Sequence, residues 1–321
     1  MTEAEWRLLG LLSTGQSCSG EDLGRVLGVT RAAIWKMING LRAHGFVIVS
    51  QPGRGYALRQ GIDWLDVPAL QSGMQSLGVQ VQVFNELDST NQELLRQMAA
   101  GCDGHAVVIL AEQQTAGRGR RGRSWSSPLA YNFYATMGWR FDGPVSRLAG
   151  LSLAVGVGLA EAVEQVLGQP LGLKWPNDLL LGGCKLGGIL IELTGDASGP
   201  CMAVVGVGVN HRGFPAGEAP DQPWACIQDH VLVSRTDLTL RLLTSMVSTL
   251  ECFAGLGFQG VRERFMVRDV LKDQALTIEQ SGATLSGWGR GVDDAGNLLI
   301  ERQGLLHTVS GGEVSVRSAS A

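Results

Sequence analysis

Residues Gly117–Trp125 read GRGRRGRSW, and this run limits the possible folds more than any other segment. Four guanidinium groups within nine residues repel one another and resist burial, while the interleaved glycines weaken both helix and strand. The run is therefore expected to be an exposed loop. Glycines let such a loop approach a ligand closely, and each arginine carries a fixed fork of donors that suits phosphate or carboxylate. An anion would neutralise the local charge, so the loop is expected to be mobile when empty and ordered when liganded. Taken alone, the run also fits a solvated basic loop or a tract binding RNA without sequence preference. Gly117-x-Gly119-x-x-Gly122 has the form of a dinucleotide fingerprint, but that motif opens a helix, and here Ser126-Ser127-Pro128 leads towards a strand.

Around the loop the chain changes texture twice. Residues 1–60 read as three helices and a hairpin. Apolar spacing marks Ala4–Leu12, then a helix capped by Ser19 with Leu23, Val26 and Leu27 inward, then Arg31–His44 with Ile34, Ile38 and Leu41 inward. Gly28 breaks the second helix and Thr30 caps the third. The pattern predicts a winged helix–turn–helix, with Arg54 on the wing. Asp66 and Pro68 open a further helix. From about residue 79 to 268, strands and helices alternate: a strand at Val79–Phe84, a Thr90-x-x-Glu93 capping box opening Asn91–Ala100, strands at Ala106–Ala111 and Asn132–Arg140, a helix over Ser146–Leu167, strands at Leu179–Leu181, Leu190–Leu193 and Val204–Val209, and a helix over Thr236–Ala254. Beyond Leu271 short alternating strands, split by the turn Asp293–Asn297, predict a small β-barrel. The expected architecture is multidomain α/β (α+β): a winged helix–turn–helix over 1–62, a mixed-sheet α/β domain over 63–270, and a C-terminal barrel over 271–321.

Composition narrows the classes of function. The 45 glycines in 321 residues are about twice the usual share of roughly 7%, which suits tight turns and close backbone contacts. Residues 1–60 carry 7 Lys/Arg against 4 Asp/Glu, net +3, and the remainder 19 against 26, net −7. A basic head on an acidic body suits an anionic partner for the head. Six scattered cysteines form no C-x-x-C pair and five histidines no metal-binding pattern, so no protein-held metal is predicted and reduced thiols in the cytoplasm are. The longest apolar stretch, Leu148–Ala160, falls short of the ~20 residues a membrane helix needs, so no membrane partner is expected.

A second cluster sharpens the reading. Lys174-Trp175-Pro176-Asn177-Asp178 runs into a strand, and Lys185-Leu186-Gly187-Gly188-Ile189-Leu190-Ile191 follows a Gly182-Gly183 turn. Lys185 beside two glycines can set an ammonium against a carboxylate or phosphate, although singly it reads as a surface lysine after a turn. Together with GRGRRGRSW and Gly206-x-Gly208-x-Asn210, in this order, these segments resemble the biotin protein ligases. With the N-terminal helix–turn–helix the chain is similar to the bifunctional type that also represses the biotin operon.

The resemblance implies a class II synthetase-like central domain, an SH3-like C-terminal domain, and a two-step reaction. Biotin and ATP give biotinyl-5′-adenylate and pyrophosphate, and the acyl group then passes to one lysine of the biotin carboxyl carrier protein of acetyl-CoA carboxylase. Mg²⁺ is inferred from the ATP chemistry. By family match, Ser89, Thr90, Asn91 and Gln114 line the biotin site. Arg118, Gly119 and Arg120 cover biotin's carboxylate and the α-phosphate, with Arg121 beside the nucleotide. Lys185 lies between carboxylate and phosphate, and the Leu186–Ile191 strand supplies apolar walls. Trp125 and Asn210 belong to the adenylate side, and Asp178 is a candidate for orienting the acceptor lysine. Thr30, Arg31, Lys36 and Arg54 are expected to contact operator DNA, bound by a homodimer that forms with ligand. Trp35 departs from a polar groove-facing pattern, and Gly187-Gly188 stands where Ala-Gly is common. Three rivals remain: a sensor that has lost ligation, which need not retain Arg118, Arg120 and Lys185; a lipoate or octanoate ligase, against which the arginine loop and basic head stand; and an RNA binder, which leaves Lys174–Ile191 unexplained.

Overall fold

The computed structural model describes residues 1–195, 199–215, 217–280, 283–310 and 313–316. They belong to two compact units, Met1–Trp64 and Leu65–Ala321. In the first, α1 (Glu3–Leu12), α2 (Gly20–Leu27) and α3 (Arg31–Ala43) precede a hairpin of β1 (Ile48–Gln51) and β2 (Gly55–Leu58). Local chemistry sets the boundaries. The Ser19 hydroxyl accepts from the Asp22 N–H at 3.0 Å, Gly28 ends α2 in the left-handed region at φ 70°, and the Thr30 hydroxyl accepts from the Ala33 N–H at 3.2 Å. Leu8, Leu9, Leu12, Leu23, Ile34, Ile38 and Leu41 form the buried core. Val26 does not join it: the small Gly24 packs inward instead, and Val26 faces outward.

The second unit is built on a seven-stranded mixed sheet. It comprises β3 (Gln80–Leu87), β4 (Val107–Gln114), β5 (Phe133–Phe141), β6 (Gly172–Lys174), β7 (Asp178–Leu181), β8 (Cys184–Gly195) and β9 (Cys201–Val209), in the order β3-β4-β5-β9-β8-β7-β6. Only β3 and β4 pair in parallel. Alternation along β4 divides its contacts: Val107 and Ile109 pack with Leu94 of α5 (Thr90–Ala99), while Val108 and Leu110 join the main core. That core is shared by α4 (Val67–Gln75), α6 (Leu151–Leu167) and α7 (Arg235–Leu256). α6 is apolar all round because it is buried there. It begins later than the predicted Ser146: Val145–Leu148 is a 3₁₀ turn, and left-handed Gly150 at φ 79° interrupts the chain before Leu151. β8 likewise extends the expected Leu190–Leu193 strand in both directions, because its neighbour β9 is apolar along its whole length and needs a full-length partner.

A short α8 (Arg262–Arg268) leads to β10 (Ala275–Gln280), β11 (Ala283–Val292), β12 (Leu298–Arg302), β13 (Leu305–Val309) and β14 (Glu313–Val316), an antiparallel sheet in the order β13-β12-β11-β10-β14. This is the SH3-like C-terminal domain. The Asp293 carboxylate accepts from the N–H groups of Ala295 and Asn297 at 2.9 and 2.8 Å, closing the predicted turn. Leu276, Ile278, Val292, Leu298 and Ile300 share the main core, and the Trp175 indole N–H donates to the Gly296 carbonyl at 3.0 Å. The segment leading into Asn177 is thereby braced by the Asp293–Asn297 turn.

Asp269, at the junction, accepts from the Leu271 N–H at 2.9 Å through one oxygen while its other oxygen is buried without a partner. Burial pushes its carboxyl up to about 6. A carboxyl raised in the folded state costs nothing below the unfolded value of 3.8 and destabilises as pH rises through the folded one. Asp269→Asn should leave the thermal midpoint nearly unchanged at pH 4 and raise stability at pH 8 by on the order of 3 kcal/mol. An equal gain at both pH values would assign the effect to packing.

Candidate active site

One open cavity gathers most of the expected site residues: Ser89, Thr90, Asn91, Gln114, Arg118, Gly119, Trp125 and Lys185 line it. The strands β8 and β9 form its floor. Gly188 pairs with Gly208 and Leu190 with Gly206, leaving the ladder bare of side chains at three places. A Cβ on Gly206 would collide with the Asn91 carboxamide, and one on Gly208 would enter the Trp125 indole. The glycines of Gly206-x-Gly208 are thus there for close approach of side chains to backbone.

Beneath the cavity runs a chain of polar side chains. Gln114 Nε2 donates to Ser127 Oγ at 2.9 Å, and its Oε1 accepts from the Thr90 N–H at 2.9 Å and hydroxyl at 3.2 Å. Thr136, buried on β5, donates to Asn91 Oδ1 at 2.6 Å. Asn91 Nδ2 donates to Glu192 Oε2 at 2.8 Å, and Glu192 Oε1 lies 3.3 Å from Arg118 Nη1. The carboxylate can only accept, so it fixes which end of the Asn91 amide faces Thr136. The predicted capping box at Thr90 is absent for the same reason: Thr90 is the first residue of α5 and its hydroxyl is engaged by Gln114, while Ser89 stands at the cap position. Asp88 anchors this start. It accepts from the Ser89 N–H at 2.7 Å, and the Arg96 guanidinium holds its carboxyl down at about 2.

The arginine loop folds back on itself through Gly119 N–H to Arg123 O at 2.7 Å and Trp125 N–H to Gly117 O at 2.8 Å. A single 3₁₀ turn spans Arg120–Gly122, with Arg121 in the left-handed region at φ 54°. Arg118 and Gly119 face the cavity. Arg120 lies at its margin, donating to Asn177 Oδ1 at 3.3 Å, and Arg121 is not among the lining residues. Lys185 is 2.8 Å from Asp178 Oδ1, and its ammonium stands 5.6 Å from the Trp125 ring centre. The apolar wall comes from Ile189 and Leu190, since Leu186 points into the core. Asn210 does not line the cavity. Its Nδ2 donates to the carbonyls of Lys185 and Ala225 at 3.2 and 3.1 Å, so it positions the Lys185 backbone rather than presenting itself to a ligand.

Two lining or supporting residues escaped the sequence reading. Asn177, given no role of its own within Lys174–Asp178, lines the cavity and donates through Nδ2 to the Ile189 carbonyl at 2.9 Å. Glu192 sits in the apolar strand Leu190–Leu193, and a carboxylate at an inward-facing position of such a strand was the available signal. In the first unit, Arg31, Lys36 and Arg54 are exposed, and the Thr30 hydroxyl caps α3. Arg54 sits on the β1–β2 turn. Among the described residues no three His, Cys, Asp or Glu side chains converge as a metal site.

The family model for the biotin/lipoate A/B protein ligase family matches residues 83–210, and a model described as HTH domain matches residues 7–57. The chain is 38% identical over 314 residues to the bifunctional ligase/repressor BirA of Salmonella typhimurium, covering 97% of each. It is 36% identical to the protein of the same name from Escherichia coli, covering 98% of this chain and 97% of that one. Among solved structures it is similar in fold to a biotin protein ligase from Aquifex aeolicus in complex with biotin and ATP, with a TM-score of 0.63, 23% identity and coverage of 75% of this chain and 99% of that one.

Glu192→Gln removes the charge that holds Arg118 while keeping the side-chain shape. A partly exposed pair of this kind is worth ~0.2–1 kcal/mol, so tryptic cleavage within Gly117–Ser124 of the ligand-free protein should rise up to about fivefold with thermal stability unchanged. Unaltered cleavage would show that Glu192 does not restrain the loop.

Proposed function

The chain belongs to the biotin/lipoate A/B protein ligase family as one of its bifunctional ligase/repressors, and from that premise we propose that the cavity over β8 and β9 is where biotinyl-5′-adenylate forms. The protein is an ATP-dependent biotin protein ligase that also represses transcription through its helix–turn–helix domain. The observation that supports the site assignment is the convergence of Arg118 and Lys185, each held by its own carboxylate, on one cavity lined by Ser89, Thr90, Asn91 and Gln114.

In the first step a carboxylate oxygen of biotin attacks the α-phosphorus of ATP. A P–O bond forms to the acyl oxygen, the bond to the β-phosphate oxygen breaks, and pyrophosphate leaves. No protein nucleophile is required. The enzyme holds two anions together and stabilises the charge that builds on the phosphoryl oxygens. Arg118 and Lys185 exchange Glu192 and Asp178 for the carboxylate and α-phosphate, and Arg120 and Arg121 follow the nucleotide. Trp125, packed against Gly208, walls the adenylate side. Mg²⁺, inferred from the ATP chemistry, would accompany ATP as part of the substrate and would offset charge on its phosphates. In the second step the acceptor lysine's neutral amine attacks the acyl carbonyl: a C–N bond forms, the acyl C–O bond to AMP breaks, and the nitrogen's proton passes to solvent. Asp178, released by Lys185, accepts a hydrogen bond from that amine and orients it.

Thr30, Arg31, Lys36 and Arg54 contact operator DNA in this proposal, with basic groups on phosphates and α3 in the major groove. The corepressor is the adenylate: ordering of Arg118–Arg123 stabilises a homodimer, whose two heads bind two half-sites together. The reaction runs in the cytoplasm, where the six free cysteines remain thiols. The acceptor is the biotin carboxyl carrier protein of acetyl-CoA carboxylase.

Purified protein with biotin and ATP should release pyrophosphate, and Lys185→Ala should slow that release on the order of 10²–10³-fold with little change in biotin affinity. Near-normal adenylation by this variant would remove Lys185 from the chemistry. Sedimentation tests the coupling: without DNA, biotin plus ATP should lower the concentration at which the protein dimerises. A liganded protein that stays monomeric at every concentration, and binds operator as one copy per site, would exclude the dimer mechanism.

A further inference from the structure

The outward face of α3 carries a side chain that neither the fold nor the ligase site uses. Trp35 is 59% exposed, while Ile34, Ile38 and Leu41 of the same helix are fully buried. It stands in the middle of the exposed arc, one turn after Arg31 and Ala32 and next to Lys36, all of them exposed. Arg42, at i+7, is engaged within the unit. Its guanidinium donates to the Ile48 carbonyl at 2.8 Å and the Ser50 hydroxyl at 2.9 Å, tying α3 to β1. The arc therefore presents one large apolar surface bordered by the cations Arg31 and Lys36, with exposed Arg54 on the neighbouring turn.

Cations on this face suit a polyanion, and the first half of the second helix of a helix–turn–helix is the part that reaches base edges in the major groove. Most of what those edges present is polar. Guanine offers two acceptors, adenine an acceptor and a donor, and cytosine a donor. The C5-methyl of thymine is the apolar group in that groove. Indole carbons pressed on polar edges would strip their hydration without replacing it, whereas against a methyl they exclude water from both surfaces. The indole N–H, at the ring's polar end, remains able to donate to thymine O4 or a purine N7. Ala32, three residues earlier, offers a methyl on the same face.

We propose that Trp35 is a specificity-determining residue that reads thymine methyl groups in the major groove of each operator half-site. The proposal rests on the repressor reading above. Trp35 thus does by apolar contact what a polar side chain at that position would do by hydrogen bonding, and the half-site carries at least one thymine opposite it.

The test uses the full-length protein with biotin and ATP. Bound duplexes are selected from a random pool, and each thymine of the selected half-site is then replaced singly by uracil, which removes only the methyl. At one or two positions the change should weaken binding by about fourfold per methyl. Trp35→Ala should bind more weakly and be indifferent to uracil at those same positions, while Trp35→Phe should retain the discrimination. Equal sensitivity to uracil in wild type and Trp35→Ala, or a selected half-site without thymine, would overturn the proposal. So would loss of the liganded dimer in Trp35→Ala without DNA, which would make Trp35 a contact between copies. Failure of the wild-type protein to select any duplex would instead defeat the repressor reading on which the proposal stands.

Discussion

Two side chains lie directly on the backbone of the β8–β9 ladder, and the site depends on that contact. Asn91 rests on Gly206 and Trp125 on Gly208, at distances that leave no room for a Cβ. The ladder is otherwise apolar and regular, so its glycines cost some strand stability. In return the floor lies deep enough for a cavity to open between the arginine loop and the sheet. Trp125 in that position places an aromatic face beside the Lys185 ammonium, and Asn91 in that position reaches Glu192 from the start of α5. One geometric condition thus brings together three segments distant in sequence.

Electrostatics supplies the second constraint. Arg118 and Lys185 belong to different elements, a loop and a strand, and each is paired with an acid of the sheet. Partly exposed pairs of this kind are weak, so a substrate anion with better geometry can displace the acid without a large penalty. The same pairs keep both cations near the cavity in advance of substrate. Arg121, held in the left-handed region at φ 54°, places mild backbone strain in the turn of the arginine loop.

How much of this was legible beforehand follows from how local the determinants are. The arginine loop, Lys174–Asp178 and Lys185–Ile191 each carry their chemistry within a few consecutive residues, and the layered architecture follows from apolar periodicity. Helix caps at Ser19 and Thr30 were equally readable. What escaped depends on partners far along the chain. Thr90 and Glu93 have the spacing of a capping box, yet Gln114, 24 residues later, takes the Thr90 hydroxyl. Glu192 gains its role from Asn91 and Arg118, and Asn210 turns to the Lys185 carbonyl rather than to the cavity. Val26 fits a helical stripe, but the tight packing available at Gly24 decides which side of α2 faces inward.

In the proposed function, ligase and repressor are coupled through the same loop, with an anion in the cavity setting its order and association carrying the effect to DNA binding. All of it rests on the bare ladder keeping Trp125 and Lys185 in register above β9. The most direct measurement is biotin-dependent exchange of pyrophosphate into ATP by Gly208→Ala, beside its thermal unfolding. Displacement of the indole by one methyl should cut the exchange rate severely while unfolding remains cooperative. Wild-type exchange from that variant would contradict the account.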